Sequence, residues 1–160
     1  MTPWGERPKM ADMSEEPKPL SCRLVRAGEP FIGKQGLTYA PGVSAETVGA
    51  RGIHMQLVHI PPGSRAKAHK HVAHESAIYG ISGESGVWHG EHLEQHSVVG
   101  PGDFFYIPAN MPHLPYNASK SETCIAVIAR TDPNEQESVE LLPELEAIVP
   151  LPGSDAQTNR

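Results

Sequence analysis

Histidines are unusually concentrated in one part of this sequence. Nine occur among 160 residues, and three of them, His69, His71 and His74, fall within six positions. Alternate residues of a strand share a face, so His69 and His71 would project together and could bind a divalent ion. A further histidine, His113, lies in a second glycine- and proline-rich segment, Gly102 to Asn117. An isolated His-x-His pair is ordinarily exposed or hydrogen-bonded, but this combination favours a metal site assembled from two distant segments.

Short strands must position these histidines. Glycine, proline and asparagine recur at short intervals and separate brief segments rich in Val, Ile, Tyr and Phe. This pattern is typical of an all-β sandwich or barrel. The predicted strands are Ile53–Ile60, Ala77–Ser82, Gly86–His89, His92–Val99, Phe104–Ile107 and Thr123–Ala129.

Three further local predictions can be made. Gly90 and Glu91 would form a tight two-residue hairpin turn, and the histidines around it, His89, His92 and His96, are expected on the surface. Apolar residues spaced from Val139 to Ile148 indicate a late helix, interrupted at Pro143. Asp103 follows Pro101-Gly102 and is expected to accept a hydrogen bond within that turn.

Composition excludes several classes of protein. The formal net charge is −6 and no basic run exceeds two residues, so a nucleic-acid partner is not expected. No apolar stretch approaches the roughly 18 residues of a membrane helix. The N-terminus lacks the apolar segment of a secretory signal, and Cys22 and Cys124 show no metal or disulfide spacing. We therefore expect a cytoplasmic protein with two thiols.

The chain divides into a domain between two tails. Residues 1–19 and 150–160 are rich in proline and polar residues and are predicted to be disordered. The domain would span residues 20–149, with its metal-binding core at about 47–130. The strand-like segment Leu20–Ala27 lies far from the histidines, and we expect it to join the sheet of a homodimer.

The two histidine segments resemble the paired motifs of the cupin superfamily. The first motif is represented by Gly63, His69, His71, Glu75 and Gly83, with one residue more than usual between the last two. The second is represented by Gly102, Pro108, His113 and Asn117, with Asn110 in place of a glycine. The resemblance covers roughly residues 47–130 and implies an all-β double-stranded β-helix, a jelly-roll β-sandwich.

The extra residue leaves the acidic metal ligand of the motif undecided. Counted back from Gly83, strand alternation places His74 and Ser76 on one face and Glu75 on the other. This register favours His74 as a fourth ligand beside His69, His71 and His113. A bulge at the start of the strand would instead give Glu75 its usual role.

Within the cupins, the chain is similar to small cupins of aromatic polyketide pathways. The similarity rests on residues 52–56, on the run from His69 to Tyr79, and on residues 129–133. It implies a metal-dependent cyclase or isomerase that stabilises the enolate of a polyketide-like carbonyl substrate. Zinc is the expected ion, with iron, manganese or nickel as alternatives. Glu75 or a neutral imidazole is expected to move a proton, and Gln56 to reach the metal or orient a bound carbonyl.

Two other functions fit the same residues. Histidine ligands also suit Fe(II), so a cupin oxygenase is an alternative enzyme. The alternative outside the enzymes is a cupin that binds a small molecule and catalyses no reaction.

Overall fold

The computed structural model describes residues 21–135 and 138–149, so the tails expected at 1–19 and 150–160 lie outside the described residues. Two short helices, α1 (Ala45–Val48) and α2 (Pro143–Glu146), accompany the strands. The strands are β1 (Phe31–Ile32), β2 (Thr38–Val43), β3 (His54–Ile60), β4 (His69–His71), β5 (Ser76–Ser82), β6 (Ser85–His89), β7 (Gln95–Val99), β8 (Phe104–Ile107), β9 (His113–Tyr116), β10 (Cys124–Arg130) and β11 (Val139–Leu141).

The strands form two antiparallel sheets. One has the order β1-β2-β3-β10-β5-β8 and the other the order β11-β4-β9-β6-β7. Alternation sets which side chains face inward: on β3, His54, Gln56, Val58 and Ile60 are buried, whereas Met55 between them is exposed. The expected jelly-roll β-sandwich is confirmed.

Apolar side chains pack on both faces of the five-stranded sheet. Between the sheets lies a core of Leu37, Tyr39, Val58, Ile60, Ala66, Cys124 and Ala126. On the other face, Ala68 and Leu114 alternate with His69 and His113, and Leu142 and Val149 from the C-terminal segment pack against them. An apolar layer on the outer face of the five-stranded sheet therefore holds β4 and β9, the strands that carry the histidines, in place.

Three local predictions are corrected by the structure. The late helical pattern is a strand, β11, followed by the four-residue helix that begins at Pro143, because β11 pairs with β4. Residues 21–30 form no strand, although Gly28 donates a backbone hydrogen bond to Pro41. The β6–β7 hairpin is present, but its loop spans residues 90–94 and needs positive φ angles at both Gly90 and Leu93.

In the described part of the chain, no helix is long and apolar enough to cross a membrane.

Candidate metal centre

Three buried histidines converge between the sheets. His69 and His71 are the inward residues of β4, and His113 is the first residue of β9, directly opposite His69 in the β4–β9 pair. The ring centroids of His69 and His113 lie 4.2 Å apart, and those of His71 and His113 lie 4.9 Å apart. One ring nitrogen from each of the three falls within 4.8 Å of the others. Imidazole–metal bonds of about 2.0–2.1 Å can be reached from this arrangement by small side-chain rotations.

Backbone carbonyls fix which nitrogen of two rings is available. His69 Nδ1 lies 2.7 Å from the carbonyl oxygen of Lys67, and His113 Nδ1 lies 2.9 Å from that of Met111. A carbonyl can only accept, so each Nδ1 carries the proton and each Nε2 keeps its lone pair. Such outer hydrogen bonds are the usual support of metal-binding histidines.

The site favours neutral imidazoles. Burial lowers the pKa of His113 well below its usual value, and the nearby His69 and His71 lower that pKa further. A neutral ring is the form that binds a metal. The donor set therefore fits a divalent ion, and three protein ligands leave coordination positions for water or substrate.

The three histidines lie at the wall of a narrow apolar cavity of about 60 Å³ between the sheets. That volume holds a few water molecules or a small organic group. Besides the histidines, the residues with polar groups that line it are Gln35, Tyr39, Ser76, Ser85 and Cys124. The remaining wall is largely aliphatic and aromatic, and it includes Leu37, Val58, Ile60, Ile78, Val87, Phe105, Ile107 and Ile128.

The structure places His74 inside and Glu75 outside. His74 is 4% exposed and its ring centroid lies 4.9 Å from that of His71, although His74 is not in the three-histidine group. Glu75 is exposed and accepts a hydrogen bond from the hydroxyl of Tyr106 at 3.0 Å. A left-handed turn at Ala73, with φ of 63°, precedes His74 and makes the approach to β5 irregular. The inward direction of His74 and the outward direction of Glu75 are those expected from strand alternation counted back from Gly83. The role of His74 as a metal ligand stays a prediction.

Neither residue expected to act in catalysis lines the central cavity. Gln56 is buried, but His54 Nε2 lies 3.1 Å from its side-chain oxygen, and Gln56 lines a smaller neighbouring cavity. Glu75 is on the outer surface. The catalytic roles of both residues stay predictions that this geometry does not support.

One inward histidine was misplaced by sequence reasoning. His89 was expected on the surface with His92 and His96, but it is half-buried and lies directly opposite His113 in the β6–β9 pair. Its Nε2 lies 3.0 Å from Ser97 Oγ, and its ring centroid lies 5.3 Å from that of Phe105. His89 lines a groove of about 130 Å³ that shares Phe105 and Ile107 with the central cavity. Alternation from Ser85 and Val87 was the signal that would have found it.

Comparison with known proteins agrees with this geometry. Residues 56–129 match the family described as Cupin domain. This chain folds as a cupin. The structure resembles a provisionally named sugar phosphate isomerase from Acidithiobacillus ferrooxidans, with 23% identity, a TM-score of 0.56, and coverage of 71% of this chain and 72% of that one.

Oxalate decarboxylases are also structurally similar to this chain. The enzyme from Bacillus subtilis is 18% identical with a TM-score of 0.63, over 82% of this chain and 35% of that one. The enzyme from Lactobacillus farciminis, in a formate complex, is 21% identical with a TM-score of 0.61. That comparison covers 76% of this chain and 36% of the enzyme. This chain thus spans about a third of the oxalate decarboxylases, and the likeness establishes the fold alone. No curated protein matches the sequence.

The three-histidine donor set fits several divalent metals. One of the similar structures concerns the Mn(II) centres of the Bacillus subtilis oxalate decarboxylase. Imidazole ligands suit zinc, iron and nickel alike, so the donor set gives no support to zinc as the first choice.

Proposed function

We propose that this cupin is a metal-dependent enzyme that acts on a small carbonyl compound, as an isomerase or cyclase. The observation that carries the proposal is the convergence of His69, His71 and His113 at an apolar cavity. A divalent ion held by these residues would polarise a carbonyl oxygen and stabilise negative charge developing on it. We include His74 as a fourth ligand, because its buried ring lies beside that of His71.

The chain's own contribution is to hold the substrate and exclude water. The apolar walls shield a reactive carbonyl compound from side reactions and strengthen electrostatic interactions within the cavity. The hydroxyl of Ser76 and the amide of Gln35 can bind further oxygens of the substrate. Neutral imidazoles leave the charge of the ion uncompensated, which favours an anionic intermediate over a neutral substrate.

A polyketide-like substrate is the more specific form of this proposal. The central cavity of about 60 Å³ accommodates only the carbonyl-bearing end of such a molecule. The groove beside Phe105 and Ile107, with about 130 Å³, offers space for the remaining part. Folding a chain of carbonyl groups against these walls would favour intramolecular ring closure.

Proton exchange at the carbon beside a carbonyl tests the reaction class directly. The metal-loaded protein would be mixed in D₂O with a 1,3-diketone or a 2-oxo acid, and exchange would be followed by NMR. We expect acceleration by the native protein and by His92→Ala, whose histidine is exposed, but not by His113→Ala. Oxygen consumption with Fe(II) and no exchange would favour the oxygenase alternative. The absence of both would contradict an enzymatic role for these substrates.

A further inference from the structure

A carboxylate and a hydroxyl lie against the ring of His74. Asp132 Oδ2 is 3.8 Å from His74 Nδ1, and Ser138 Oγ is 3.3 Å from the same nitrogen. His74 is 4% exposed, whereas the side chain of Asp132 is 16% exposed, so the two groups face each other at the edge of the buried region. An ionised carboxylate can only accept, which favours the tautomer with the proton on Nδ1 and leaves Nε2 with its lone pair.

The position of Asp132 is fixed by the turn that follows β10. Asp132 Oδ1 accepts hydrogen bonds from the backbone nitrogen of Asn134 at 3.1 Å and from its side-chain nitrogen at 2.8 Å. The buried guanidinium of Arg130 donates to the backbone oxygens of Asp132 and Asn134. The carboxylate therefore has little freedom to leave His74.

We propose that Asp132 and Ser138 are positioning residues that orient His74, so that its Nε2 can serve as the fourth metal donor. The inference rests on the proposed metal site at His69, His71 and His113. His74 lies outside that compact group, so its Nε2 would reach a bound ion by a shift of the ring that keeps Nδ1 beside Asp132 and Ser138. Outer carboxylates of this kind fix the tautomer of a ligating histidine and raise its basicity, and their loss typically weakens metal binding about 10–100-fold.

Two measurements on the full chain test the proposal. In metal-stripped protein, NMR of ¹⁵N-labelled histidine should show His74 protonated on Nδ1, and Asp132→Ala should shift the population toward the Nε2-protonated form. Titrations with Zn²⁺ and, separately, Mn²⁺ should show about 10–100-fold weaker binding in Asp132→Ala and a smaller loss in Ser138→Ala.

The matched control is Asp103→Ala. Asp103 also accepts a backbone hydrogen bond within a turn, from Gly100 at 2.9 Å, and it forms no hydrogen bond or ion pair with a histidine in the part of the chain that the structure describes. We expect native metal affinity in this variant and in Glu75→Gln. If Asp132→Ala loses its cooperative thermal transition, Asp132→Asn keeps an oxygen for the turn without the charge and should still bind metal more weakly.

The outcomes separate this inference from the metal site itself. Native affinity in Asp132→Ala or in His74→Ala, with loss in His113→Ala, would overturn the positioning role and leave the three-histidine site intact. Undiminished binding in His113→Ala would overturn the proposed site. His74 protonated on Nε2 in the native protein would also contradict the orientation we propose.

Discussion

Two neighbouring histidines with different expected roles allow a sharp test at the scale of single residues. His113 and His89 are opposite each other across β9 and β6, but only His113 belongs to the three-histidine group. We expect His113→Ala to lose stoichiometric metal and His89→Ala to retain it. Metal content after purification, and the rise in melting temperature on adding Zn²⁺ or Mn²⁺, would measure both. Ligand at about 100 times its Kd stabilises a protein by about 2.7 kcal/mol, so the native rise should be several degrees.

The opposite result would identify a different donor set. Metal retained by His113→Ala and lost from His89→Ala would mean that the ion lies nearer the groove lined by His89. Equal loss from both would indicate that the two histidines bind it together.

Much of the candidate site could be predicted because strand alternation is a strictly local rule. It placed His74 inward and Glu75 outward from the position of Gly83, although Glu75 occupies the ligand position of the motif. It also placed His54 and Gln56 on one face of β3, but it could not show that Gln56 lines a separate small cavity, because that depends on the segments packed against this strand. His89 was assigned to the surface because it borders a hairpin, although its alternation with Val87 directs it inward.

At the scale of elements, the turn between β4 and β5 determines the direction of His74. Ala73 adopts φ of 63°, a left-handed conformation that costs a non-glycine residue roughly 1–2 kcal/mol. Ala73→Gly should therefore raise the free energy of unfolding by about 0.5–1 kcal/mol, since part of the relief is lost to the greater freedom of the unfolded chain. Urea denaturation of metal-stripped protein would measure it.

The matched substitution is Ala77→Gly in β5. Ala77 is also exposed, but it lies in regular strand backbone, so glycine should lower stability by roughly 0.5–1 kcal/mol. Destabilisation by both substitutions would show that Ala73 does not hold the left-handed conformation in solution.

Elements were less predictable where distant partners decide them. Phe104–Ile107 was predicted with its observed bounds, because a short aromatic and β-branched run favours a strand by itself. Val139 to Leu141 has helical spacing with the residues that follow, yet it forms a strand because its backbone pairs with His69 to His71. The spacing of apolar residues cannot show that β4 has an unpaired edge with which this segment can form hydrogen bonds.

At the scale of the whole molecule, the outer face of β5 and β8 is apolar and exposed. Tyr79, Ile81, Phe104 and Tyr106 form this β5–β8 patch, in which Phe104 is 81% exposed and its ring centroid lies 4.8 Å from that of Tyr79. β8 is also the last strand of its sheet. Contiguous exposed apolar surface of this kind marks interaction sites, and a twofold axis lets the same patch cover itself on a second copy. We therefore retain the homodimer as a proposal and assign its contact to the β5–β8 patch instead of residues 20–27.

Light scattering at micromolar concentration would test this assembly. We expect a dimer for the native protein and a monomer for Phe104→Lys, because two lysines brought together at a symmetric contact would repel each other and lose their hydration. Ile32→Lys is the matched control, since Ile32 is 76% exposed on β1, at the opposite edge of the same sheet, and should leave the dimer intact. Metal content should be native in both variants, because neither side chain lines the central cavity. A strictly monomeric native protein would refute the dimer, whereas a dimer broken only by Ile32→Lys would place the contact at the β1 edge.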